Sequence, residues 1–371
     1  MKSAIEIMKL RAGDAAREFL QRVPAQSVRA LFAGGSVGRG EVWSAPEEGR
    51  LAVYSDIDLY VVLAEGADLN RARWAAQEAD AALPRTLEGV VFHRGVDFGI
   101  YSFDDLRAQP VRPGTVDLAE HHVWLHGDRS LLEALRRDAS YPMATSEALY
   151  LLEHRAWDAL EARAETTQGR ASLRAYATAA KVVLDVVSAH LIAEGRYRAT
   201  YRERIAEYAA RAPMQVSKRV RDAAASAERF RSGDTSSRLD PQTALTMVAE
   251  TWCALAPSIL WGRDAEAHDV PALVATRCRQ GAWKDNFREF VRLRRAAGLP
   301  LGGALAVGWR YATLSPRAAL RTHAVVRALA EAAGNPALSF HTAYVSRLTS
   351  CFGCREGNLD ERARAAYRAV S

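Results

Sequence analysis

LFAGGSVGRGEVWSAPEEGRLAVYSDIDLYVVL, residues 31–63, is the stretch whose reading decides the fold. A short apolar run, Leu31-Phe32-Ala33, ends in Gly34-Gly35-Ser36, followed by Val37, Gly38, Arg39 and Gly40. After a polar interval, Ser55-Asp56-Ile57-Asp58 runs straight into Leu59-Tyr60-Val61-Val62-Leu63. Side chains in a strand repeat every second residue, so Asp56 and Asp58 are expected on one face. Two carboxylates side by side repel each other unless a positive charge sits between them. A hard divalent cation with oxygen ligands meets that need, and Mg²⁺ accompanying a triphosphate fits best. The Gly-Gly-Ser turn leaves backbone N–H groups open to a phosphate, near an expected helix start.

Outward from this stretch, the flanks read as alternating helices and strands. Apolar residues at helical spacing predict an amphipathic helix over 3–22, broken by Pro24, and a first strand over 28–33. Glu47-Glu48-Gly49-Arg50 has hairpin-turn character, and 51–63 holds the second strand. Asp68 is the expected N-cap of a helix over 69–83, stopped by Pro84. Residues 90–94 and 96–102 are strand material carrying Asp97. Residues 122–126 read as a further strand closed by Gly127-Asp128, with a helix over 130–138. This order predicts a small mixed α/β sheet.

From Thr145 the pattern changes to nearly continuous helical periodicity. Helices are expected over 146–165, 171–194, 201–212, 214–231, 241–261, 270–279, 283–297, 316–333, 340–351 and 359–370. Gly302-Gly303 and Gly308 mark a tight turn or a close helix contact. The fold class expected is therefore α+β. A small mixed-sheet domain over 1–140 precedes a large all-helical domain over 141–371, with a possible subdivision near the linker-like interval 232–241. There is no internal repeat and no low-complexity segment.

Composition narrows the function classes. With 371 residues the chain is long enough for two domains with sizeable cores. The amino terminus mixes charged and apolar residues and lacks the apolar core of a signal peptide. No uninterrupted run approaches the ~18 apolar residues of a membrane span, so a cytoplasmic chain without a membrane partner is expected. The net charge of +6 invites a nucleic-acid reading. Yet basic residues are interleaved with Glu and Asp throughout and form no polybasic block, so nucleic acid is not the expected partner. Cys351-Phe-Gly-Cys354 has metal-like or redox-like spacing, but no second such pair or nearby Cys/His set completes a zinc site, and two reduced thiols are expected there. His121, His122 and His126 read as edge or core histidines. No Ser-His-Asp arrangement and no Walker-type loop is present.

Gly35-Ser36, Gly38-Arg39-Gly40-Glu41 and Ser55-Asp56-Ile57-Asp58 together resemble the signature of the DNA polymerase β-like nucleotidyltransferase superfamily. That superfamily includes aminoglycoside and lincosamide nucleotidyltransferases, minimal nucleotidyltransferases and cyclic-oligonucleotide synthases. The resemblance covers about residues 25–130 and extends beyond that only to Lys181. It implies a third aspartate on a later strand, and Asp97 in Val96-Asp97-Phe98-Gly99-Ile100 stands in the right order. The segment 43–53 makes the interval between Gly-Ser and Asp-x-Asp longer than the superfamily usually shows. A longer hairpin accounts for it, or a loop that touches donor or acceptor.

The resemblance implies Mg²⁺ held by Asp56, Asp58 and Asp97, with Asp97 drawing the proton from the acceptor hydroxyl or bridging the metal. Gly35 and Ser36 would cradle the β/γ-phosphates. Arg39 is a phosphate ligand or an exposed helix arginine. Related enzymes carry a basic residue on a helix of the second domain that contacts the triphosphate. Lys181, one of only five lysines in a chain that otherwise uses arginine, looks similar. Tyr197 and Tyr201 are candidates for base stacking or for aromatic packing. The activity implied is transfer of a nucleoside monophosphate from an NTP to the hydroxyl of a small-molecule acceptor, releasing pyrophosphate. The alternatives are oligonucleotide second-messenger synthesis, or an antitoxin-type nucleotidyltransferase acting on or binding a partner protein.

Overall fold

A computed structural model describes residues 3–138, 143–167, 172–211, 218–262, 270–279, 286–288, 290–291, 315–333, 345, 362–363 and 365–366. Most of each expected helix over 283–297, 340–351 and 359–370 lies outside the described residues, as do Gly302, Gly303, Gly308, Cys351 and Cys354. The chain is α+β, with two small mixed sheets among many helices. It divides into two compact units. Residues Met1–Ala144 and Glu194–Arg238 form the first, and Thr145–Ala193 and Leu239–Ser371 the second. A single cut near residue 140 therefore does not describe it: the segment Glu194–Arg238, which carries two described helices, groups with the sheets.

In the first unit, α1 (Ala4–Leu20) starts at a capping box made by Ser3 and Glu6. Strand β1 (Val28–Ala33) leads into the short helix α2 (Gly35–Arg39), and β2 (Ser44–Glu47) pairs antiparallel with β3 (Arg50–Val53). The segment 43–53 is thus a hairpin, turned at Glu48-Gly49 with both φ angles positive. There follow β4 (Ile57–Leu63), α3 (Leu69–Ala82), β5 (Thr86–Leu87), β6 (Val90–Phe92) and β7 (Val96–Ser102). Asp68 caps α3 by accepting from the N–H groups of Asn70 and Arg71. Helices α4 (Phe103–Arg107) and α5 (Pro113–Glu120), strand β8 (Val123–Gly127) and helix α6 (Ser130–Asp138) complete the sheet region.

The main sheet has the order β7-β4-β1-β8. Strand β1 runs antiparallel to β4 and β8, whereas β4 and β7 are parallel. Period-two alternation gives each face its own core. Leu31, Ala33, Leu59, Val61 and Leu63 pack with Met8, Ala12, Ala15 and Phe19 of α1 and Ala72, Ala75 and Ala79 of α3. Ala30, Phe32 and Val62 pack with Leu106, Leu118, Leu131 and Leu132 of α4, α5 and α6. Strands β2, β3, β6 and β5 form the second sheet in that order.

Two further helices of this unit, α9 (Tyr201–Ala209) and α10 (Lys218–Arg231), are attached by specific contacts. The Trp43 ring lies 5.3 Å from that of Phe230, and its Nε1 donates to the Phe230 carbonyl at 3.4 Å. Arg231 donates to the Glu41 carbonyl, and the Arg202 N–H donates to the Glu41 carboxylate. The hairpin segment thus serves as a docking face for α10.

The described residues of the second unit are helical where they carry regular structure. They form α7 (Ser146–Thr167), α8 (Leu173–Ala193), α11 (Pro241–Trp261), α12 (Val270–Cys278) and α13 (Pro316–Ala333). Helices α8 and α11 are long and apolar enough to cross a membrane by length and composition, and 72% and 50% of those windows are buried within the fold. At the centre Glu153, fully buried, accepts from Arg277 at 2.7 and 3.0 Å and from Trp252 Nε1 at 3.4 Å, with Arg321 Nε 3.4 Å away.

Candidate metal centre

Asp56 precedes β4, Asp58 is its second residue, and Asp97 is the second residue of β7. The parallel register sets Asp58 directly beside Asp97. One carboxylate oxygen from each of Asp56, Asp58 and Asp97 can be chosen so that all three lie within 4.8 Å of one another. Asp56 and Asp58 are half-buried and Asp97 is exposed. Such a set of oxygen donors suits a hard divalent cation.

The Gly34-Gly35-Ser36 turn is built against this group. The Gly34 N–H donates to the Asp58 carbonyl at 2.9 Å, and Ser36 Oγ donates to the Asp56 carbonyl at 3.3 Å. Gly35 has φ +54°, and a Cβ on it would stand 1.8 Å from Asp58 Oδ2, so no other residue fits without moving the aspartate. Gly38 is equally constrained: a Cβ there would lie 2.4 Å from the His121 carbonyl oxygen at the end of α5. Helix α2 is therefore wedged between the acidic strands and α5. Tyr60, two residues beyond Asp58, stacks on Tyr101 at 6.2 Å, and its hydroxyl pKa is raised by burial and by the Asp58 charge.

Arg39, at the C-terminal end of α2, faces inward. Its Nη1 donates to Asp117 at 2.6 Å, its Nε donates to Glu41 at 3.0 Å, and its guanidinium lies 5.3 Å from the Tyr201 ring centre. Asp117, 5% exposed on α5, also accepts from Arg204 Nη2 at 2.9 Å and from the Tyr197 hydroxyl at 2.9 Å. Burial pushes the Asp117 carboxyl up, against Arg204, Arg39 and Tyr197, which pull it down. Although burial works against charge on Arg39 and Arg204 too, Asp117 and the neighbouring tyrosines hold both above the ordinary arginine value. Tyr197 and Tyr201 are packing residues in this cluster, the Tyr201 ring also meeting Arg204 and Arg231.

Lys181 belongs to the second unit, exposed on α8. It sits in the field of His154 and Asp158 of α7. His154 is pushed down to about 4 by burial, then by Arg155. Arg155 Nε also donates to Asp185 at 2.5 Å. Of the histidines near β8, His122 packs edge-on against Phe32. Cys278 is buried and Cys253 half-buried, both free thiols. Sequence reasoning passed over Asp117. A carboxylate flanked by Val116, Leu118 and Ala119 on a short helix is the signal that could have found it.

Searches against family models and against curated proteins find no match for the chain.

Proposed function

We propose that this protein is a nucleotidyltransferase that moves a nucleoside monophosphate from an NTP to a hydroxyl of a small-molecule acceptor. The observation that carries this reading is the trio of Asp56, Asp58 and Asp97 oxygens within 4.8 Å, set against the Gly35-Ser36 turn. Three carboxylates in so small a volume repel one another, and a cation relieves that repulsion. Asp56, Asp58 and Asp97 would hold Mg²⁺, which would supply positive charge to offset charge developing on the transferred group. Asp56 and Asp58 flank the turn and so serve the triphosphate side. Asp97 comes from the neighbouring strand and is the most exposed of the three, which suits a base that takes the acceptor's hydroxyl proton. Gly35 and Ser36 open α2, where backbone N–H groups lack intrahelical acceptors and can meet phosphate oxygens. On this reading the first unit is the nucleotidyltransferase domain and the second a helical companion carrying Lys181.

The test is incubation of the purified chain with each labelled NTP and Mg²⁺, with and without a panel of hydroxyl-bearing small molecules. Label is expected on one acceptor class, with pyrophosphate released. Asp56→Ala and Asp58→Ala should each abolish transfer while the circular dichroism spectrum stays unchanged. Turnover at the native rate in either variant would remove this reading.

A further inference from the structure

Helix α2 touches both strand aspartates, yet it is only five residues long and cannot hold its own position. Gly35 abuts the Asp58 carboxylate and Ser36 bonds the Asp56 carbonyl at one end of it. At the other end Gly38 packs against the His121 carbonyl, and Arg39 makes two ion pairs, to Glu41 and, the shorter at 2.6 Å, to Asp117. Asp117 is buried on α5 and also accepts from Arg204, on both oxygens, and from Tyr197, both from the 194–238 segment. A chain of contacts therefore runs from Arg204 and Tyr197 through Asp117 and Arg39 to α2, and from α2 to the acidic trio.

We propose that Asp117 is a positioning residue for the metal centre, holding α2 through Arg39 so that Asp56 and Asp58 keep the spacing a divalent cation requires. The inference rests on the metal-binding reading of the acidic trio. It assigns Arg39 to the support of the aspartates rather than to the substrate. It also gives the 194–238 segment a task in the first unit: Arg204 and Tyr197 fix the oxygens that receive Arg39. Removing a group that hydrogen-bonds a metal ligand directly costs about 10- to 100-fold in metal affinity. Asp117 acts one step further out, through Arg39 and α2, which places its effect at the low end of that range.

The test uses Mn²⁺ alone as the probe, with free Mn²⁺ followed by electron spin resonance on the full chain. Asp117→Asn keeps the size of the side chain but removes the charge that holds Arg39. The expected result is Mn²⁺ affinity about 10-fold weaker than wild type. Glu153→Gln in the second unit is the control, because it removes an equally buried carboxylate charge between arginines and should leave Mn²⁺ affinity unchanged. If Asp117→Asn does not fold, Arg39→Lys takes its place, since a lysine keeps the charge but cannot span Asp117 and Glu41 together. A residue acting only on phosphate would leave Mn²⁺ binding in this variant untouched, so weakening supports the proposal and constancy overturns it. Equal affinity in wild type and the Asp117 variant overturns it as well. So does equal weakening in the Asp117 and Glu153 variants, which marks a general stability effect. Absence of Mn²⁺ binding in the wild type instead removes the metal-centre reading itself.

Discussion

Two buried carboxylates organise this chain, and they sit in different settings. Asp117 in the first unit accepts from Arg39, Arg204 and Tyr197; Glu153 in the second accepts from Arg277 and Trp252, with Arg321 close by. Both clusters bury ions that an apolar core would replace at little cost to stability, so stability alone is a weak account of either. The difference lies in what the partner arginines touch next. Arg39 stands on the helix that contacts Asp56 and Asp58. Arg277 and Arg321 stand on α12 and α13 and tie those helices to α7. The same chemical device thus supports a candidate reaction centre in one unit and joins helices in the other.

The largest effect expected concerns the chemistry of the first unit. Asp97→Asn keeps the size of the side chain and one acceptor oxygen, but it cannot take a proton. On the proposed reading Asp97 is the general base, and its loss should lower the single-turnover rate by about 10²- to 10⁴-fold. Binding of a non-hydrolysable NTP with Mg²⁺, followed by calorimetry, should change far less, because Asp56 and Asp58 remain. Unchanged rates would place the base elsewhere. Glu153→Gln is the counterpart in the second unit. It leaves buried guanidiniums without their carboxylate and should cost about 3–5 kcal/mol of stability in denaturant unfolding. Rates per folded molecule should stay level. A rate loss with intact stability would break the division between the units.

A pH dependence should also separate them. His154, on α7, is held down at about 4 by burial and by Arg155. Between its ordinary value near 6.5 and 4, the unfolded chain binds the proton and the folded chain does not, so stability falls as pH falls through that window. The loss should reach at most about 3 kcal/mol once pH is below 4. His154→Gln, compared with wild type across this range, should flatten that part of the curve. A slope that survives the substitution would assign it to carboxylates instead.

Much of the site was legible because strand periodicity is rigid. Asp58 and Asp97 each alternate with apolar neighbours and read as strand-borne, and the register of β4 with β7 sets them side by side, whereas Asp56 lies just ahead of β4. The Gly35 turn was legible for a related reason: only glycine tolerates a carboxylate in the place of its side chain. The second sheet was less so. Its strands are two to four residues long, too short for alternation to register, and β3 pairs with β6 across an intervening helix. The membership of α9 and α10 was not legible. Their apolar faces say that they pack, not against what, and the deciding contacts are Trp43 with Phe230 and Arg204 with Asp117. Asp117 was missed because an acidic residue on a short helix ordinarily faces water.

The smallest effect expected is also the one that can blur the comparison most. Lys181 is exposed on α8, in the unit to which the contrast above assigns only scaffolding. Its neighbours in charge are His154 and Asp158, and its helix is otherwise lined with small apolar residues such as Ala179 and Ala180. On the proposed nucleotidyltransferase reading, Lys181 would be the lysine that contacts the triphosphate. A lysine that holds phosphate equally in the ground and transition states contributes uniform binding, which appears in KM and not in kcat. One charge-assisted hydrogen bond corresponds to about 10-fold in affinity. Lys181→Ala should therefore raise the KM for NTP about 10-fold and leave kcat nearly unchanged. Lys181→Arg, which keeps the charge, should restore most of it. The second unit then takes part in nucleotide binding, and the contrast narrows to where the metal is held. If KM does not move, Lys181 is a solvated surface lysine, and the helical unit acts on the reaction without a charge from α8.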